Sequence, residues 1–229
     1  MEIQEILSHV DHTLLRPDAT WPEIRALCDE GLALHTASVC IPPLFVAPAS
    51  AYLGGRLPVC TVIGFPNGYT TAAAKAAEAR RAVKDGAAEL DMVIAIGLLK
   101  EERYDEVLRE IRMVRRACSG RVLKVIVETC LLTDSEKIRM CRLAHEGGAD
   151  YIKTSTGFST GGATPHDVRL LVAHAPQGLK VKASGGIRTP DQAREYLSLG
   201  ADRLGTSGAA HWAGADNRPA ANETKQGGY

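Results

Sequence analysis

The sequence predicts an α/β fold, a (β/α)₈ TIM barrel preceded by a short N-terminal helix, and three observations carry that reading. Eight short runs, mostly rich in Val, Ile and Leu, alternate with eight helical segments. Such alternation builds parallel strands joined by crossover helices. Eight units close naturally, because the first and last strands then pair and leave no edge. A phrase also recurs, Gly-Ala running into a strand, at Gly86–Asp91, Gly148–Lys153 and Gly200–Gly205. An open doubly wound sheet is the rival, but the G-x-G-x-x-G turn expected after one of its early strands is absent.

After the amphipathic opening MEIQEILS, strands are expected at 9–15, 36–41, 58–64, 88–95, 122–128, 150–155, 179–184 and 202–206. They are short, and turn residues follow most of them closely. Helices are expected between them at 20–30, 43–53, 71–85, 101–118, 134–146, 164–174, 190–199 and 207–213. Thr133 with Glu136 forms a capping box, and Thr164-Pro165 and Thr189-Pro190 each place a cap residue before a first-turn proline. Gly31, Gly86, Gly147 or Gly148, and Gly200 mark helix C-termini. Residues 1–213 are thus expected to form one (β/α)₈-barrel domain, and 214–229 a polar, flexible tail.

The chain has 229 residues, a common size for one barrel, and its 45% hydrophobic and 24% charged content is that of a globular protein. Lys plus Arg equals Asp plus Glu at 27 each, which argues against a nucleic-acid or anionic-membrane partner. No apolar run approaches the roughly 18 residues of a spanning helix, and the acidic N-terminus is not a signal peptide, so a cytoplasmic location is expected. The six cysteines include no C-x-x-C pair and read as small buried hydrophobes. The seven histidines are scattered without ligand spacing, so neither a metal nor another cofactor is expected.

Chemistry enters through the repeat. Its fifth position after each glycine holds Asp91, Lys153 and Gly205, on strands four, six and eight. Even strands share interior layers, so a carboxylate, an amine and a gap should converge inside the barrel. Burial disfavours the ammonium form of a lysine, and a free amine is what attack on a carbonyl requires. On strand seven, Lys182 lies nearer the C-terminal end than Lys180, and a second cation beside Lys153 adds like-charge repulsion. Lys180 is read as lying at the barrel bottom or in solvent. Asp91 can steady one ammonium and relay protons, or merely balance charge. Asp11, Cys40 and Glu128 are possible supporting groups; Lys124 is read as structural and His12 as a hydrogen-bonded core histidine.

An anion site is expected beside this group. Strand seven runs into Ser184-Gly185-Gly186-Ile187-Arg188, and strand eight into Gly205-Thr206-Ser207-Gly208. Glycines there let backbone N–H groups reach an oxyanion, at the usual phosphate position of this architecture. The loop from Ser155 through Gly157 to Gly162 can close over the same ligand. A small phosphorylated substrate follows.

The segments VDHTLL (10–15), VIGFPNG (62–68), ELDMVIAIG (89–97), KVIVETCLLTD (124–134), ADYIKTSTGFSTGGAT (149–164) and VKASGGIRT (181–189) resemble deoxyribose-phosphate aldolases, from about residue 8 to 210. The resemblance implies a class I aldolase, without cofactor, that reversibly cleaves 2-deoxy-D-ribose 5-phosphate to D-glyceraldehyde 3-phosphate and acetaldehyde. It implies that Lys153 forms a Schiff base, that Lys182 perturbs it and moves protons, and that Asp91 is the acid/base carboxylate. Gly185, Gly186 and Ser207 match phosphate-contacting positions. The chain departs from the family at Pro42, where Asn or Tyr is usual, and at Gly208, where a second serine is common. Some relatives carry a terminal tyrosine into the site, a role open to Tyr229. A homo-dimer or tetramer is implied. The alternative is a Schiff-base aldolase for another sugar phosphate.

Overall fold

The strands β1 (Val10–Thr13), β2 (Ser38–Ile41), β3 (Val59–Ile63), β4 (Glu89–Val93), β5 (Val122–Ile126), β6 (Tyr151–Lys153), β7 (Lys180–Ser184) and β8 (Arg203–Thr206) pair in chain order. The computed structural model describes residues 1–213, and in it β8 returns to β1 to close the barrel. All eight pairings are parallel. Helix α1 (Ile3–Leu7) precedes the barrel, and α2 (Trp21–Leu34), α3 (Val46–Leu53) and α4 (Ala72–Lys84) cross between the first four strands. Then follow α5 (Ile96–Lys100), α6 (Tyr104–Ala117), α7 (Asp134–Glu146), α8 (Pro165–His174), α9 (Pro190–Ser198) and α10 (Ala209–Ala213).

Local sequence sets the helix starts. The Thr133–Glu136 box caps α7, a Thr189–Gln192 box caps α9, and Thr164 accepts from Asp167 N at the start of α8. The repeat glycines do what their position predicts: Gly86, Gly148 and Gly200 all take positive φ (104°, 80° and 100°) and turn a helix end into a strand. Gly31 does not. Helix α2 runs past it to Leu34, and His35 ends the helix in the left-handed region. A Cβ at Gly31 would lie 2.8 Å from Leu57 and 2.9 Å from Val39, so this glycine serves close packing against the sheet rather than termination. The helix expected from 101 begins at Tyr104, because Ile96–Lys100 coils separately and Glu102 (φ 56°) breaks the path between them.

The apolar layer lies between strands and helices. Ile24, Val39, Leu90, Met92, Ile111, Val125 and Met140 belong to the larger cluster, and Val10, Ala183, Leu204 and Trp212 to a second one around β8. Side chains of the opposite parity point into the barrel, where the packing is polar and charged.

A buried ion pair lies in the outer layer. Lys75 of α4 donates to Glu110 Oε1 of α6 (2.6 Å), and to the carbonyls of Gly68 (2.5 Å) and Val93 (2.8 Å). Glu110 Oε2 accepts from Ala95 N at 3.0 Å. The pair therefore ties the loops after β3 and β4 to their helices. Removing one partner strands the other without compensation. Lys75→Met is expected to cost about 3 kcal/mol in urea denaturation, and adding Glu110→Leu to recover part of that loss. A single variant as stable as the parent would show that the pair carries no weight.

Candidate active site

Inward parity on β4, β5, β6 and β7 brings Asp91, Lys124, Lys153 and Lys182 together inside the barrel. Lys153 Nζ donates to Asp91 Oδ2 at 2.8 Å, and Lys182 Nζ to the same oxygen at 2.7 Å. Lys124 Nζ donates to the other oxygen, Oδ1, at 2.8 Å, and Cys60 Sγ lies 3.2 Å from it. Lys182 also reaches Asp11 Oδ2, and Ser38 Oγ donates to Asp11 Oδ1 at 2.8 Å. Beneath them Arg203 bridges Asp11 (2.5 Å) and Glu89 (3.0 Å), while Lys124 also pairs with Glu89 at 2.5 Å.

These contacts decide the protonation of the inner groups. Burial would push the Asp91 carboxyl up, but Lys124, Lys153 and Lys182 outweigh it and hold it well below the aspartate range. Burial likewise opposes charge on Asp11, and Lys124, Lys182 and Arg203 prevail in the same way. Burial opposes the ammonium of Lys182 too, yet Asp11 and Asp91 hold its pKa above the lysine range. The Sγ atoms of Cys40 and Cys60 and an oxygen of Asp91 lie within 4.8 Å of one another, a grouping of metal-ligand type. Three lysine nitrogens already occupy that carboxylate, and the charge on Lys124 and Lys182 opposes a cation there.

The layer reading is met with a refinement. Asp91 and Lys153 converge as the repeat predicts, but the gap left by Gly205 is not empty. A Cβ at Gly205 would stand 3.2 Å from Lys182 Cε and 2.9 Å from Ser184 Cβ, so the missing side chain is where Lys182 passes. Lys182 and Asp91 are 0% exposed; Lys153, at 3%, borders a cavity of about 330 Å³ at the C-terminal mouth.

The other walls of that cavity are the segments expected to hold an anion. Thr156–Phe158, Ser184–Arg188 and Gly205–Ser207 line it, and so do Thr13 to Arg16 from the first loop. Gly157, Gly185, Gly186, Arg188, Gly205 and Ser207 are therefore gathered in one place with Lys153. A Cβ at Gly162 would fall 2.2 Å from the Gly185 carbonyl oxygen, so the loops after β6 and β7 touch backbone to backbone. Arg188 is anchored through its carbonyl, which accepts from Trp212 Nε1 at 3.0 Å.

Among the supporting candidates, Asp11 joins the charged cluster, Cys40 is buried opposite Cys60 on β3, and Glu128 bonds the loop after β6. Tyr229 lies outside the described residues. His12 is a core histidine, with Nε2 2.7 Å from Glu30, and Lys180 is exposed at the base of β7. Lys124, read from its early position as structural, is buried among Asp11, Glu89 and Asp91 and so reaches the central carboxylate. Sequence reasoning also passed over Glu89 and Arg203. The signal was the strand period of two, since each lies two residues before a residue already singled out, Asp91 or Gly205.

The family model for DeoC/LacD family aldolases matches residues 6–211. The chain is 52% identical over 207 residues to the deoxyribose-phosphate aldolase of Streptococcus agalactiae (serotype Ia), covering 90% of this chain and 93% of that one. It is 49% identical over 209 residues to the deoxyribose-phosphate aldolase of Clostridium botulinum (strain Eklund 17B), covering 91% and 95%. A solved structure, the tetrameric deoxyribose phosphate aldolase from Aeropyrum pernix, superposes with a TM-score of 0.85 at 36% identity, covering 91% and 89%.

The charged cluster has a defined pH window. Depressed carboxyl pKa values contribute stability that is complete above the ordinary aspartate value of 3.8 and is lost as the pH falls below it. The raised Lys182 contributes fully below 10.5 and loses its share as the pH rises from there through its elevated value. Asp11→Asn is therefore expected to cost about 3 kcal/mol at about pH 6, with the gap to the parent narrowing near about pH 3. Urea denaturation at the two pH values checks this; a gap that does not change with pH contradicts it.

Proposed function

The chain belongs to the DeoC/LacD aldolase family, and from that premise we infer that it is a deoxyribose-phosphate aldolase, cleaving 2-deoxy-D-ribose 5-phosphate reversibly to D-glyceraldehyde 3-phosphate and acetaldehyde. The observation that carries the assignment of its residues is the unequal hold on the four cationic side chains. Three carboxylates, Asp11, Glu89 and Asp91, face Lys124, Lys153, Lys182 and Arg203. One cation is more than charge balance requires. Among the described residues Lys153 contacts a single carboxylate, whereas each of the others contacts two or three, and Lys153 is the lysine of this group that borders the cavity.

In this reading the Lys153 amine attacks the aldehyde carbon C1, and loss of water leaves an iminium. A proton leaves the C3 hydroxyl, the C2–C3 bond breaks, and its electron pair enters the iminium to give an enamine while glyceraldehyde 3-phosphate departs. Protonation at C2 and hydrolysis of the imine release acetaldehyde and restore the amine. Asp91 and Lys182 are assigned the passage of these protons, a role supported by the 2.8 Å contact of Asp91 with Lys153 Nζ and by Lys182 sharing the same carboxylate oxygen. Gly157, Gly185, Gly186, Arg188, Gly205 and Ser207 take the phosphate, through backbone N–H groups, a hydroxyl and a guanidinium. That remote contact orients the bond to be broken. Asp11 fixes Lys182, Cys40 packs behind the cluster, and Tyr229 is the tail residue that would enter from outside.

A cytoplasmic, homo-oligomeric enzyme fits the same reading. All six cysteines are free thiols, five of them buried, and no helix of the described residues is long and apolar enough to cross a membrane. The Aeropyrum pernix relative is a tetramer.

Borohydride reduction in the presence of acetaldehyde, followed by peptide mass spectrometry, tests the chemistry. A two-carbon adduct is expected on Lys153; an adduct confined to Lys182, or none, would remove the assignment. Lys153→Leu is expected to abolish turnover, and Lys182→Met to lower kcat by about 10²–10⁴-fold, the range of a lost acid–base partner. Activity of Lys153→Leu close to that of the parent would refute the covalent mechanism.

A further inference from the structure

Past the end of β5 the backbone does something that the reaction scheme does not use. Val127 N donates to Lys153 O (3.0 Å), and the next bond between the two chains runs from Thr129 N to Thr154 O (2.9 Å). The β5 side advances two residues while the β6 side advances one. Glu128 is the extra residue, a bulge beside the lysine assigned as nucleophile, and it sits at φ 57°, ψ 68°. Residues bearing a Cβ rarely adopt that conformation, and bulges at strand ends commonly serve to re-aim a side chain.

The side chain is aimed across β6. Glu128 is buried, and its carboxylate accepts from Thr156 N at 3.2 and 3.4 Å and from Thr156 Oγ1 at 2.5 Å. Thr156 Oγ1 in turn accepts from Phe158 N at 3.0 Å. The result is a one-way chain, from the Phe158 N–H to the Thr156 hydroxyl and from that hydroxyl to the carboxylate. It brackets Gly157, whose Cα faces Gly185 across the cavity wall. Burial raises the Glu128 carboxyl, against the opposing pull of the Thr156 hydrogen bonds and the Lys153 charge.

We propose that Glu128 is a positioning residue: its carboxylate fixes the backbone of Thr156–Phe158, and so sets how tightly the phosphorylated end of the substrate is held. The proposal rests on the aldolase reading above and adds a residue that touches neither the reacting carbon nor the phosphate. A carboxylate suits the task because both oxygens accept. A carboxamide offers one acceptor and turns an N–H toward a hydroxyl that is already donating, which reverses the chain. Glycine at 128 would fit the positive φ while removing the carboxylate, so it separates the backbone conformation from the clamp.

The test compares 2-deoxyribose 5-phosphate with phosphate-free 2-deoxyribose as substrates of the parent, Glu128→Gln, Glu128→Gly, Thr156→Val and Thr156→Ser. In the first three variants kcat/KM for the phosphorylated sugar should fall about tenfold relative to the phosphate-free sugar, with the loss residing in KM. Thr156→Ser, which keeps the hydroxyl, should restore the parental ratio. Glu128→Gly/Thr156→Val should lose no more than the worse single variant, within about twofold, because both remove one contact. Equal losses on both sugars would mean a merely structural role and overturn the proposal, as would an unaltered ratio or a change in kcat alone. If Glu128→Gln does not fold, Thr156→Val against Thr156→Ser reads the same contact from the loop side. A parent that does not cleave 2-deoxyribose 5-phosphate overturns the functional reading itself; a parent that cleaves it, with variants that keep its selectivity, overturns only the role of Glu128.

Discussion

A single buried carboxylate, Asp91, is shared by three lysines, and the rest of the site is arranged around that sharing. Three lysines cannot be drawn out of water around one carboxylate without further compensation. Asp11 and Glu89 supply it from β1 and β4, and Arg203 ties those two together below. The cluster is therefore stiff where Lys182 and Lys124 sit and loosest at Lys153. An active site that needs one amine to react gains from that inequality: in the proposed reaction Lys153 is the least held, while Lys182 rests as a cation beside Asp11 and Asp91 and gives up and regains a proton in turn.

The barrel separates two tasks by height. Charged side chains fill the interior, where long side chains from different strands meet and water is excluded. The C-terminal mouth is lined by turns that include Gly157, Gly185, Gly186 and Gly205. Glycines at 162 and 185 permit contact between the loops after β6 and β7, and the clamp from Glu128 to Thr156 approaches the same loop from its other side. On the proposed function, rigidity at the mouth matters because phosphate binding is the handle by which C1 is brought to Lys153.

Much of this was legible in the sequence because barrels obey strong periodic rules. Alternating strands and helices named the architecture, and the Gly-Ala repeat put Asp91 and Lys153 at one level before any coordinates. What the repeat did not convey was the occupant of the space at Gly205, because a gap says only that something else passes there. Lys124 reaches the central carboxylate although it sits early in β5, because parallel strands are sheared and its Cα pairs directly with that of Asp91. Gly31 was misread as a stop because close packing and chain reversal call for the same residue. The bulge at Glu128 was hidden for a deeper reason, since nothing in KVIVETC signals a left-handed residue, and its placement depends on a pairing register fixed by two strands.

The account turns on which nitrogen becomes bonded to carbon and where the other end of the substrate lies. A crystal structure of the protein trapped with 2-deoxyribose 5-phosphate would answer both at once. Electron density is expected to run unbroken from Lys153 Nζ to C1 of the sugar, with the phosphate between Gly185–Gly186 and Ser207. A sugar bonded to Lys182, or seated in the cavity with no bond to either lysine and its phosphate away from those turns, would contradict it.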